Sequence, residues 1–147
     1  MPLFEKSLTL PRPPEEVFDF FIQPSLMIAT SPPEMSLQLA EGPERLSLGA
    51  RVKVRGRRWG FAYHVMTEVT AFEPGRLLVQ NQIEGTFRRW EMTQRFEAEG
   101  GGTVVRTRVE FDPPGGLLGL AVNEAAVRRE LEMISAYRAE RLRERFG

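Results

Sequence analysis

The sequence predicts an α+β fold: a curved antiparallel sheet wrapped around a long C-terminal helix, with two short helices after the first strand. Two observations predict it. Between Met35 and Asp112, apolar residues recur at every second position in segments separated by glycine and proline turns. From Gly116 to Phe146 the period becomes helical: at about 100° per residue, Leu120, Val127, Leu131, Ile134 and Leu142 share one side, and Arg129, Glu132, Glu140 and Arg143 the other. An amphipathic helix that follows an amphipathic sheet must bury its stripe against that sheet.

Taken in order, Phe4 to Leu10 alternates briefly and stops at Pro11, as a first strand would. A helix opens within Arg12-Pro13-Pro14-Glu15-Glu16-Val17-Phe18, because proline suits a first turn and the two glutamates sit where the helix dipole favours negative charge. Its buried face is Val17, Phe18 and Phe21, and Pro24 ends it. Ser25 to Thr30 makes a second short helix, broken by Ser31-Pro32-Pro33. The strand period then begins at Met35, Leu37 and Leu39, followed by Ala50, Val52 and Val54. Next comes Phe61 to Phe72, with Phe61, Tyr63, Val65 and Val69 on one face and His64, Met66, Glu68 and Thr70 on the other. Arg76 to Glu84, Thr86 to Ala98 and Thr103 to Asp112 complete the sheet. The short connections, Gly100-Gly101-Gly102 among them, make consecutive strands antiparallel neighbours.

Composition narrows the function classes. The 147 residues suit one domain, 1–147, able to bury a core without a metal or disulfide. Twenty basic and twenty acidic residues cancel, so no global field recruits nucleic acid or an anionic membrane. With no cysteine there is no disulfide, thiolate metal site or cysteine nucleophile. No apolar run approaches a membrane span, the longest being Leu117 to Val122. A cytoplasmic protein is expected. Arg51, Lys53, Arg55, Arg57 and Arg58, with Arg88 and Arg89, form the one basic concentration. It is either a solvated strand face or a docking patch, and beyond Trp59 no aromatic accompanies it to stack on bases.

The alternation of the later strands defines an inward face. Trp90, Met92, Gln94 and Phe96 turn the same way in one strand, and Val105, Thr107, Val109 and Phe111 in the next. An apolar face with a few polar groups is how small-molecule pockets are lined, and also how cores are filled. On the helix, Arg138 lies within the apolar stripe and Glu124 at its edge. A buried charge needs a partner or water, so Arg138 either reaches solvent along its stem or meets a polar group at a cavity.

With these residues in view, the chain resembles the START-like SRPBCC superfamily, in the bacterial branch of polyketide cyclase/dehydrase or cell-division-inhibitor-like proteins. The likeness rests on Pro13-Pro14-Glu15-Glu16-Val17-Phe18, Pro32-Pro33, Gly85-Thr86-Phe87-Arg88-Arg89-Trp90, Phe96, the passage from Val109-Glu110-Phe111 to Pro114-Gly115-Gly116, and Tyr137-Arg138. It implies the helix-grip fold and a hydrophobic ligand held between sheet and last helix, with the loop from Asp112 to Gly119 as lid or portal. The chain departs from the branch at Met92 and Gln94, where relatives often carry histidines.

The expected ligand-binding set is Tyr63, Val65, Trp90, Met92, Gln94, Phe96, Thr107, Val109, Phe111, Leu120, Glu124, Val127, Leu131 and Arg138. No cofactor, metal or nucleic-acid partner is expected, and no catalytic residue is assigned. His64, the only histidine, falls by parity on the outer face, which leaves no Ser-His-Asp or two-histidine metal arrangement. The rival readings are a cyclase or dehydratase acting through Glu124, Tyr63 or Arg138, and an interaction module using the basic strand face.

Overall fold

The computed structural model describes residues 2–58 and 60–147; Trp59 therefore lies outside the described residues. The elements are β1 (Leu3–Leu10), α1 (Pro14–Phe21), α2 (Pro24–Ala29), a 3₁₀ turn (Pro33–Met35), β2 (Gln38–Glu41), β3 (Arg51–Arg58), β4 (Phe61–Glu73), β5 (Leu77–Glu84), β6 (Arg89–Glu99), β7 (Gly102–Asp112), α3 (Leu118–Ala121) and α4 (Glu124–Phe146). One antiparallel sheet runs β1-β7-β6-β5-β4-β3-β2. Short turns place β2 to β7 beside their chain neighbours, as expected. β1, cut off from β2 by the helices, pairs instead with β7, from Leu3 opposite Glu110 to Leu10 opposite Thr103. Gly102 makes this corner possible, because a Cβ there would stand 2.4 Å from the Leu10 carbonyl oxygen.

Three local expectations are corrected. Met35 does not begin a strand; it is buried in the 3₁₀ turn, which prolines at 32 and 33 initiate, and β2 starts at Gln38. β6 begins at Arg89 rather than Thr86, since the connection from Gly85 to Arg88 is taken up by the turn. The final helix is not continuous from Gly116 to Phe146. It divides at Val122-Asn123, where the Asn123 side-chain oxygen accepts a hydrogen bond from the Ala126 N–H at 2.9 Å and caps a new helix.

The packing has an unusual division. One core joins α1, β5, β6 and the end of α4 through Phe18, Phe21, Leu78, Phe96, Leu142 and Phe146. Phe96 is wedged edge-on between Phe18 and Phe21, with ring centroids at 5.0 and 5.3 Å. A second core gathers Phe4, Val109, Phe111, Val122, Val127 and Leu131, with Trp90 and Met92 packed against it. Most domains hold one contiguous core. Here two lie at opposite ends of the last helix, and residues of both turn towards the space between them.

Candidate ligand cavity

That space is a cavity of about 930 Å³, within the range that holds small molecules. Its floor is the concave side of the sheet: Val54 on β3, Tyr63 and Val65 on β4, Trp90, Met92 and Gln94 on β6, and Val105, Thr107 and Val109 on β7. Strand alternation supplies this surface, because every second side chain of each strand shares it. The roof is α4, through Val127, Glu130, Leu131, Ile134 and Arg138.

Of the residues expected around a ligand, Tyr63, Val65, Trp90, Met92, Gln94, Thr107, Val109, Val127, Leu131 and Arg138 border this space. Four do not. Phe96 and Phe111 have the expected parity but are consumed by the two cores, at 4% and 0% exposure. Leu120 is 76% exposed, because the break at Asn123 detaches α3 from the helical register that placed it in the stripe. Glu124 stands in the first turn of α4 and pairs with Arg128 at 2.9 Å on the exposed side. Outside the cavity, Glu124 has no geometry for the part that the cyclase or dehydratase reading gives it. Glu140 and Arg143, expected on the far side of the helix, are exposed residues that reach the cavity's edge.

Polar groups occupy separate places in the wall. Gln94 is 4% exposed, and its amide donates a long hydrogen bond to Thr107 Oγ1 at 3.4 Å. Glu130, buried at 7%, accepts a hydrogen bond from Arg58 Nε and ties the end of β3 to α4. Tyr63 lies in the same neighbourhood. Burial, reinforced by the negative charge of Glu130 and opposed by Arg58, pushes its phenol up to about 12. The ring crosses β3 at Gly56, where a Cβ would meet Tyr63 Oη at 2.9 Å. Neither Glu130 nor Arg58 was singled out for the site from sequence, yet the signal existed. Alternation through Val52, Val54 and Gly56 carries Arg58 inward, and Glu130 is three residues from Val127 and four from Ile134.

Arg138 occupies another place. Its Nη2 donates to the Met27 carbonyl at 3.0 Å and to Ser31 Oγ at 2.8 Å, and its Nε donates to Thr30 Oγ1 at 3.2 Å. The two hydroxyls are free to accept because they spend their own hydrogens on helix carbonyls, Ser31 on Met27 at 2.7 Å and Thr30 on Leu26 at 2.9 Å. The guanidinium thus ties α4 to the C-terminal end of α2, where a positive charge suits the helix dipole. Among the described residues no carboxylate lies within ion-pair distance of it. Burial pushes its pKa down to about 10, which still leaves it charged at neutral pH.

The basic stretch of β3 is split by parity. Arg51 pairs with Glu68 across the outer face at 3.3 Å, while Arg58 turns inward to Glu130. His64 is half-exposed beside Glu84 at 3.0 Å, on the outer face. Among the described residues no cluster of histidine and carboxylates could hold a metal ion. No helix among them is long and apolar enough to cross a membrane.

A family model described as polyketide cyclase / dehydrase and lipid transport matches residues 1–147. The chain belongs to this family. Solved structures share the fold at low identity. TTHA0849 from Thermus thermophilus superposes with a TM-score of 0.77 at 19% identity, covering 99% of this chain and 100% of its own. Protein CV1439 from Chromobacterium violaceum gives 0.75 at 13%, over 98% and 96% of the two chains. The ginseng major latex-like protein 151 from Panax ginseng gives 0.67 at 13%, over 95% and 96%. No curated protein matches the sequence. The helix-grip architecture expected from the sequence is therefore shown, and family membership supports hydrophobic-ligand binding in general terms.

Proposed function

We propose that this member of the family is a binding or carrier protein for a hydrophobic small molecule, such as a lipid, isoprenoid quinone or polyketide-like aromatic, held between sheet and α4. One observation carries this reading: two separate apolar cores with a cavity of about 930 Å³ between them. A void of that size in a domain this small forfeits dispersion contacts along its whole lining, and an occupant restores them. Val65, Trp90, Met92, Val109, Val127 and Leu131 supply the apolar contact, and Gln94 with Thr107 offers hydrogen bonds to a polar substituent. The loop from Asp112 to Gly119 is the proposed portal. It carries Leu117 at 87% exposure, and Leu118 packs on the second core beside the cavity.

The carrier reading is favoured over a cyclase or dehydratase acting through Glu124, Tyr63 or Arg138 because Glu124 lies outside the cavity and Glu130, the buried carboxylate that does line it, is held by Arg58. Titration with the neutral dye N-phenyl-1-naphthylamine tests the proposal. One saturable site per chain is expected, with the fluorescence increase that accompanies transfer into an apolar space. Absence of saturable binding would overturn it. Native mass spectrometry of protein released gently from its host should in addition show a bound apolar compound.

A further inference from the structure

We infer that the ligand is an amphipathic monocarboxylate whose head group binds Arg138 and whose apolar body runs along α4 towards Trp90 and Val127. This rests on the cavity reading above and adds the chemical class of the occupant. A guanidinium carries five N–H donors. Three of those on Arg138 are used, all on neutral oxygens, and Nη1 has no acceptor among the described residues. Nor is Nη1 sealed away by protein. Among the described residues Arg141 Nε is the one fully buried side-chain nitrogen or oxygen without a partner. Arg138 lines the cavity, and Nη1 is the guanidinium nitrogen left for an acceptor that enters it.

Charge decides what that acceptor is. Glu130 and Arg58 neutralise one another, and the other charged groups that line the cavity, Lys6, Glu140 and Arg143, are exposed at its edge. Among the described residues, the wall away from that edge therefore carries one uncompensated positive charge, on Arg138. A neutral carbonyl or alcohol would accept a hydrogen bond and leave the charge unmatched. A phosphate monoester, with close to two negative charges, would leave an excess of the opposite sign. A carboxylate balances it and accepts a charge-assisted hydrogen bond from Nη1. The hydroxyls of Ser31 and Thr30 are committed to helix carbonyls, so the guanidinium is the donor that the head group meets. From Arg138 back to Val127 the helix extends about 16 Å, room for a chain of fatty-acid length beneath it.

Competition against N-phenyl-1-naphthylamine at pH 8, with tetradecanoate, tetradecanol and tetradecyl phosphate, varies the head group alone. Wild-type protein is expected to bind the carboxylate about tenfold or more tightly than the alcohol. Arg138→Met should erase that preference and leave alcohol binding nearly unchanged, while Arg138→Lys keeps part of it. A purely structural tether between α4 and α2 would weaken both ligands together and leave their ratio intact. Equal affinity of the wild type for acid and alcohol, a preference that survives Arg138→Met, or tighter binding of the phosphate would overturn the inference and leave the cavity reading standing. Dye binding with no displacement by any of the three chains would do the same. Failure to bind even the dye would overturn both. The wild-type comparison is decisive whether or not the variants fold.

Discussion

Tyr63 shows how a single side chain reports the polarity of this interior. Its phenol, facing the cavity near Glu130, is held well above the ordinary value of 10, at about 12, chiefly by burial. A group whose folded pKa is raised contributes stability below its unfolded pKa, and that contribution is lost as pH rises from about 10 to 12. Absorbance titration of the two tyrosines should show one step near 12, and Tyr63→Phe should remove that step. The same substitution should flatten the fall in stability between pH 10 and 12 measured by urea unfolding. A titration in which Tyr63 ionises near 10 would mean that water fills its surroundings. Arg138 and Tyr63 differ in kind: the phenol is neutral and costs little to bury, whereas the guanidinium remains charged and retains its three neutral acceptors.

Among the helices and strands, the roof of the cavity depends on where α4 begins. Asn123 fixes that start by capping the Ala126 N–H, while Val122 beside it is fully buried and anchors the junction in the second core. Asn123→Ala should cost about 1 kcal/mol, read as a lower urea midpoint with an unchanged slope. Asn123→Asp should cost less, because a carboxylate also accepts the hydrogen bond and suits the helix dipole. If the alanine variant were as stable as wild type, the division between α3 and α4 would not rest on this cap. The helical spacing of Leu120 with Val127 concealed the division. Asparagine is a weak signal within a helical pattern, and only the burial of Val122 shows which way the chain turns.

In the assembled domain, the question is whether the interior is shaped to be filled. Val65→Trp adds bulk to the floor at a place that borders the void. In a tightly packed core such an insertion costs about 1–3 kcal/mol. Here the added ring enters existing space, so stability should change by less than about 1 kcal/mol while saturable dye binding is lost. A large loss of stability would show the space to be closed in solution. The two cores pack the ends of this architecture: α1 and the end of α4 meet at one, and the aromatic group of Phe87, Trp90 and Phe111 fills the other. The wall between is then free to carry Gln94, Glu130 and Arg138 without collapsing onto them.

The order of elements, the antiparallel neighbours from β2 to β7 and the inward parity of Trp90, Met92, Gln94, Thr107 and Val109 follow from the sequence alone. Alternation and turn chemistry are local, and each is written within a few residues. The pairing of β1 with β7, the exclusion of Leu120 and Glu124 from the cavity, and the partners of Glu130 and Arg138 became visible in three dimensions. Each depends on groups brought together from distant parts of the chain, Arg58 with Glu130 and Thr30 with Arg138 among them. A periodic pattern records which way a side chain faces; whether it meets a neighbour, a cavity or solvent depends on how closely the helix and the sheet approach one another.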